Sequence, residues 1–271
     1  MQQGLILQQI DSNRKLQPRC GGRKLFVELQ PYFKDHHITM GRDKFFSFLK
    51  SNKLLVRKLK LKLKRNVYST NSKHHFRRYP NLIKDFEPMK AHELWVADIT
   101  YIPLKHRHAY LFLITDAYSR KIVGFNLSDY MKVSSGLLAL KKALAQKPID
   151  AVVIHHSDRG IQYCSTAYTD MLQKSNCMIS MTENGDPYEN AIAERVNGIL
   201  KTELISDYYS DADTASRHIA RCITIYNYRC SHSSLNWQIP HEVHYQKGPQ
   251  TKQWKNYYYK RKTKEELDQS K

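Results

Sequence analysis

The segment VVIHHSDRGIQY, residues 152–163, sets the problem of the fold. An apolar run rises into His155 and His156, then ends in Ser157, Asp158, Arg159 and Gly160. A short apolar stretch closed by a turn reads as a buried strand. In open α/β sheets, ligands sit outside the carboxyl ends of parallel strands, so an acid there is a candidate site residue. The two histidines suggest a metal and Arg159-Gly160 suggests only a turn; the segment alone leaves both open.

The flanking sequence supplies the rest of a sheet. ELWVADITYIPL (93–104) alternates, and AYLFLITDAYSRKIVGFNLS (109–128) reads as a hairpin turning near Tyr118-Ser119-Arg120. SSGLLALKKALAQ (134–146) is an amphipathic helix, STAYTDMLQKSN (165–176) another, and CMISMT (177–182) a further strand. After the loop ENGDPYEN come two helices, AIAERVNGILKTELI (191–205) and ADTASRHIARCITIYNYR (212–229). Three leading strands followed by alternating helix and strand imply an α/β fold, a mixed five-stranded sheet with helices on both faces.

Ahead of the sheet, residues 1–56 carry helical patterns. RKLFVELQPYF (23–33) and GRDKFFSFLKSNKLL (41–55), joined by KDHHITM, resemble a helix-turn-helix, a weak signal by itself. Residues 57–90 read as a basic linker that opens on RKLKLKLKR, where Arg57, Lys58, Lys60, Lys62, Lys64 and Arg65 face no acid. An exposed amphipathic strand fits that run. A DNA-backbone contact fits it better in this chain, since Lys and Arg displace counterions from phosphates. Residues 246–271 form a basic tail with Trp254, Tyr257, Tyr258 and Tyr259 interleaved, either solvated or a second DNA-contacting arm.

The chain has 271 residues, enough for a sizeable core, and 41% hydrophobic residues, as a globular protein does. Lys and Arg outnumber Asp and Glu 44 to 25, a net +19 that calls for a polyanionic partner, nucleic acid before membrane. No apolar run is long enough to span a membrane, and the start lacks a secretory signal. Five scattered cysteines without a C-x-x-C read as reduced thiols of a cytoplasmic protein, and the His36-His37 and His74-His75 pairs lack cysteine partners for zinc.

Three carboxylates carry the chemistry. Asp98 shares a strand face with Val96, Thr100 and Ile102, and a lone carboxylate there needs a partner, a ligand or an exposed margin. Asp158 ends the second strand. Glu194 lies beside the apolar stripe Ile192, Val196, Ile199 and Leu200, with Asn190, Asn197 and Lys201 on its own side. Lys201 is two turns on, about 10 Å along the axis. A set of acids without cysteine or histidine suits a hard cation, Mg²⁺ or Mn²⁺, and two such ions bridged by one aspartate support an in-line displacement at phosphorus. Taken singly, the three also read as a capped strand residue, a turn former and a surface helix residue.

The spacing and the flanks decide between these readings. Asp158 and Glu194 are separated by 35 residues, as 194 − 158 = 36 positions. With LWVADITYI, YLFLITDAYSRKIVGF, IHHSDRGIQYCS, SMTENGDPYENAIAERVNGILKTE and IYNYRCSHSSLNWQIP in order over residues 93–240, the chain resembles the D-D-35-E retroviral-integrase-like transposases. More narrowly it resembles the second reading frame (OrfB) of two-frame, frameshifting bacterial insertion sequences. The resemblance implies an RNase H-like integrase core over residues 91–245 and metal ligation by Asp98, Asp158 and Glu194, with Lys201 a DNA contact near the reacting end. It implies Mg-dependent strand cleavage and strand transfer at terminal inverted repeats, a circular intermediate and an OrfA partner protein or frameshift fusion. It also implies an oligomer on DNA, in a bacterial cytoplasm. Asp116 matches a family position that is not a ligand and caps a turn; His155 and His156 match residues outside the ligand set. Departures are Cys230-Ser231, where family members commonly have Arg-Pro, and Glu189, where Asp is commoner. A nuclease that cuts without joining and a silent DNA-binding regulator are the alternatives.

Overall fold

The computed structural model describes residues 2–56, 74–183 and 190–250. The basic run Arg57, Lys58, Lys60, Lys62, Lys64 and Arg65, the departure at Glu189 and the aromatic tail from Trp254 to Tyr259 lie outside the described residues. Four helices open the chain: α1 (Gln2–Leu16), α2 (Gly22–Glu28), α3 (Gln30–Asp35) and α4 (Arg42–Ser51). The remainder runs β1 (Leu94–Pro103), β2 (His108–Asp116), β3 (Ile122–Ser128), α5 (Val133–Leu144), β4 (Val153–Ser157), α6 (Ile161–Cys164), α7 (Thr166–Lys174), β5 (Cys177–Met181), α8 (Ala191–Ile199), α9 (Ala212–Arg229) and α10 (Pro240–Val243).

The five strands form one sheet in the order β3-β2-β1-β4-β5. The first three pair antiparallel, while β4 joins β1 and β5 joins β4 in parallel. Alternation along β1 divides its residues between two cores. Trp95 and Ala97 pack with Ala139 and Leu140 of α5 and Tyr168 and Leu172 of α7. Leu94 and Val96 pack with Ala193 of α8, and Ile102 joins Val196 with Ile219 and Ile223 of α9. Helices therefore cover both faces, as the pattern of strands and helices implies.

Two close approaches lock the layers. A Cβ built on Gly124 of β3 lies 2.3 Å from the Ala139 carbonyl oxygen and 2.9 Å from Ala143 Cβ, so only glycine lets α5 settle on this strand. Along the β5 edge, residues 74–90 form no helix or strand; Met181 N donates to Pro80 O and Leu82 N to Ser180 Oγ, at 3.2 and 2.9 Å. That strap covers an edge otherwise open to pairing with another chain.

The helical segment differs in detail from its sequence reading. The stretch 23–33 is two helices, α2 and α3, because Pro31 sits in the first turn of α3 and cannot continue a helix from before it. A further helix, α1, precedes them and contributes Ile6 and Ile10 to a core with Leu25, Phe33, Phe45 and Leu49. The expected helix 191–205 is α-helical only to Ile199; Leu200–Leu204 form a π-helical turn.

Candidate active site

The parallel pairing of β1 with β4 matches Leu94 to Ile154, Trp95 to His155 and Val96 to His156. Continued two residues, the same offset of 60 sets Asp98 beside Asp158, on strands about 4.8 Å apart. Both side chains fall on the α8 face of the sheet, because Val96 and Ile154 on that face pack with Ala193. Alternation thus delivers one acid from within β1 and the other from the end of β4.

Each carboxylate is held by a short-range partner. Asp158 Oδ1 accepts from Gly160 N at 3.0 Å, which folds the chain back around the acid. Asp98 Oδ2 accepts from Asn197 Nδ2 at 2.5 Å, and Asn190 Nδ2 donates to Ala97 O at 3.1 Å. The two asparagines stand seven residues apart, two turns of α8, so this helix is tied to β1 at both levels. The sequence reading set both on Glu194's own side of α8 without a role; their spacing from Glu194 was the available signal.

Burial first and the charge of Asp158 second raise the Asp98 acid to about 7. The Ile99 N–H and Asn197 oppose that rise, and Glu194 adds to it more weakly than any other cause. Lys201, half-buried in the π-helical turn, is pushed down by burial and partly restored by Asp98. The structure therefore brings Asp98, Asp158 and Lys201 together. Glu194 stands further out, exposed in the first turn of α8, and among the described residues no three His, Cys, Asp or Glu side chains are gathered tightly enough to hold a metal ion.

The other acids and histidines have structural partners. Asp116, fully buried, accepts from His92 N, Ser119 N and Ser119 Oγ at 2.7, 2.8 and 2.7 Å and closes the β2–β3 turn. His155 Nε2 bonds the Tyr168 hydroxyl at 3.1 Å, and His156 Nδ1 bonds Ser180 Oγ at 2.8 Å, both within the core. Burial holds His155 down at about 3. Tyr163, which the sequence reading left without a role, is buried close enough to feel both Asp158 and Asp98.

Comparison with known proteins places the chain in a family. The integrase core domain family matches residues 88–187, and a second integrase core domain family matches residues 175–240. An uncharacterized 31 kDa protein of insertion element IS600 from Shigella sonnei is 35% identical over 219 residues, covering 79% of this chain and 77% of its own. The chain belongs to the insertion-sequence transposases of the retroviral-integrase superfamily. The transposase for insertion sequence element IS904 from Lactococcus lactis is 32% identical over 186 residues, 64% of this chain and 74% of its own. Among solved structures, a simian T-cell lymphotropic virus intasome in complex with a PP2A regulatory subunit has the same fold at 17% identity. Its TM-score is 0.53, over 88% of this chain and 76% of that one. The fold of this transposase is thus RNase H-like, and no helix among its described residues is long and apolar enough to cross a membrane.

Proposed function

We propose that this transposase cleaves DNA at insertion-sequence ends and joins the freed 3′-hydroxyl to a target phosphodiester, with Asp98, Asp158 and Glu194 as its catalytic carboxylates. The observation that carries the reading is the parallel register of β1 with β4, whose continuation sets Asp98 near Asp158, together with the Asp158 charge that helps push the Asp98 acid to about 7. Like charges held this close are relieved by a proton on one of them or by a compensating cation. The donor set is all oxygen, which fits Mg²⁺ or Mn²⁺. Bound there, one or two such ions neutralise charge at the phosphate and lower the pKa of the attacking hydroxyl or water.

The chain's own residues do the positioning. Asn197 fixes the Asp98 carboxylate and Gly160 N fixes that of Asp158, so two ligands are oriented before DNA arrives. Glu194, on the exposed side of α8, would complete the oxygen donors that hold the ion. Lys201 places a positive charge beside Asp98, suited to the phosphate next to the scissile bond. DNA carrying terminal inverted repeats, a target duplex, an OrfA partner or frameshift fusion, and a multimer on two ends complete the assembly.

Strand transfer on a supercoiled plasmid with Mg²⁺ tests this. Asp98→Asn, Asp158→Asn and Glu194→Gln are each expected to abolish cleavage and joining, with DNA binding retained. Wild-type-like cleavage by any one of the three removes that residue from the reaction. Cutting without joining by the unaltered chain would make it a nuclease.

A further inference from the structure

Beyond the carboxylates, at the other end of β1, the surface opens into a cleft of about 500 Å³ lined by Lys90, Lys121 and Lys247, with His92 and His244 at its base. No acidic residue is among the described residues that line it. Lys121 is the unusual member. It is only 6% exposed, makes no ion pair among the described residues, and has its Nζ 6.0 Å from the centre of the Tyr245 ring. The nearest compensation is Asp116, whose carboxylate is already committed to three hydrogen bonds. A cation withdrawn from water without a partner is unfavourable, and an arriving anion relieves it.

The base of the cleft contributes no charge of its own. His244 Nδ1 bonds Ser119 Oγ at 2.9 Å and its Nε2 bonds His92 Nε2 at 3.1 Å, closing a chain that ends on Asp116. Burial and the Lys121 charge hold both imidazoles down, His92 at about 4 and His244 at about 3. Attraction for an anion therefore comes from three ammonium groups, which act on a phosphate as point charges. Among them Lys90 is partly shared with Glu93, 4.0 Å away, and Lys247 is held beside it by backbone pairing of residues 90 and 247.

We propose that this cleft is a second DNA-backbone site, in which Lys90, Lys121 and Lys247 hold a phosphodiester at the end of the sheet remote from the carboxylates. The inference rests on the transposase reading for its choice of DNA as the source of the phosphate. At about 3.3 Å per residue, Leu94 is already about 13 Å from Asp98, and the cleft lies beyond it. It therefore engages duplex away from the reacting end, where it adds affinity without touching the chemistry.

The test is equilibrium binding of a short DNA duplex to the full chain without Mg²⁺, across a salt series, with a parallel NMR titration of the His92 and His244 imidazoles. Lys121→Gln is expected to weaken binding several-fold at low salt. It is also expected to reduce the slope of log affinity against log salt by about one. Lys90→Gln/Lys247→Gln, altered only at exposed positions, is expected to do the same and guards against a folding defect in the first variant. Duplex is expected to shift both imidazole signals, and inorganic phosphate at matched concentration to shift them less. Unchanged affinity and slope in both variants, or shifts by phosphate with none by duplex, would overturn the proposal. Because no chemistry is read, loss of strand transfer by the unaltered chain remains a separate result that bears only on the transposase reading.

Discussion

Gly160→Ala separates the placement of Asp158 from the rest of its loop. The glycine has φ −65° and ψ 145°, which an alanine adopts freely, so no backbone strain is introduced. The new Cβ would lie 2.9 Å from Asp158 Oδ1 and 3.3 Å from Gln162 Oε1. Ordinary contact begins at 3.4 Å, so the carboxylate oxygen retreats by about 3.4 − 2.9 = 0.5 Å. The atom that gives way is the end of a side chain, and alanine restricts the unfolded chain by about 0.4–1 kcal/mol, so folding stability changes little. Catalysis is less forgiving. A misplacement of about 1 Å can lower a rate 100-fold, so half of it predicts roughly tenfold, about 1.4 kcal/mol in the barrier. Single-turnover strand transfer beside a thermal melt reads both quantities. A wild-type rate in a folded variant would show that the Gly160 contact does not set the position Asp158 needs.

Other substitutions probe the frame. Gly124→Ala forces a Cβ against the Ala139 backbone oxygen, where nothing flexible can yield, and is expected to destabilise the protein by about 3 kcal/mol in denaturant unfolding. Gly198→Ala, in α8 with nothing within 4 Å of the added Cβ, is expected to stabilise by about 0.5–1 kcal/mol and raise the melting temperature. Asp211 caps α9 by accepting from Thr214 N at 2.7 Å, and its bonds from Ser210 and Thr214 depress its acid from 3.8 to about 2. A depressed carboxyl stabilises above its unfolded value. The melting-temperature gap between wild type and Asp211→Ala should therefore be complete above about pH 4 and close as pH falls through about 2.

What could be read from sequence is what local pattern encodes. Alternation in β1 gives the faces of Asp98, and the apolar run ending at Asp158 gives the strand that β1 pairs with; both follow from a period of two. The spacing along α8 set Asn197 and Lys201 together, on the side of Glu194, before any contact was known. The break between α2 and α3 was also present, in Pro31. Hidden from pattern were features made by distant partners. The Asp116 network needs His92 and His244, 24 residues before it and 128 after it, and the strap on β5 needs a segment without periodicity. Glu194 illustrates the limit most clearly. Its spacing marked it for the site, yet in the structure it faces outward, because an isolated third carboxylate is better hydrated than packed beside two others.

The π-helical turn is where the N-terminal helices and the site meet. Arg19, just after α1, donates to the Lys201 and Ile205 carbonyls and pairs with Asp207 at 2.6 Å. Lys24 of α2 pairs with Glu203 at 2.8 Å, with side chains only 8% and 22% exposed. Ser231 donates from N and Oγ to Glu28 Oε1 at 3.1 and 2.9 Å, which gives the Cys230-Ser231 departure a local use: a proline at 231 would lack both donors. Removing one partner of a pair as buried as Lys24–Glu203 leaves a stranded charge, so this docking is costly to undo. A π-turn has weaker internal bonding than the α-helix it interrupts and persists where outside contacts hold it. Here those contacts come from the N-terminal helices, and the residue they hold in place is Lys201. The position of the cation beside Asp98 is therefore determined by residues some 180 positions earlier in the chain.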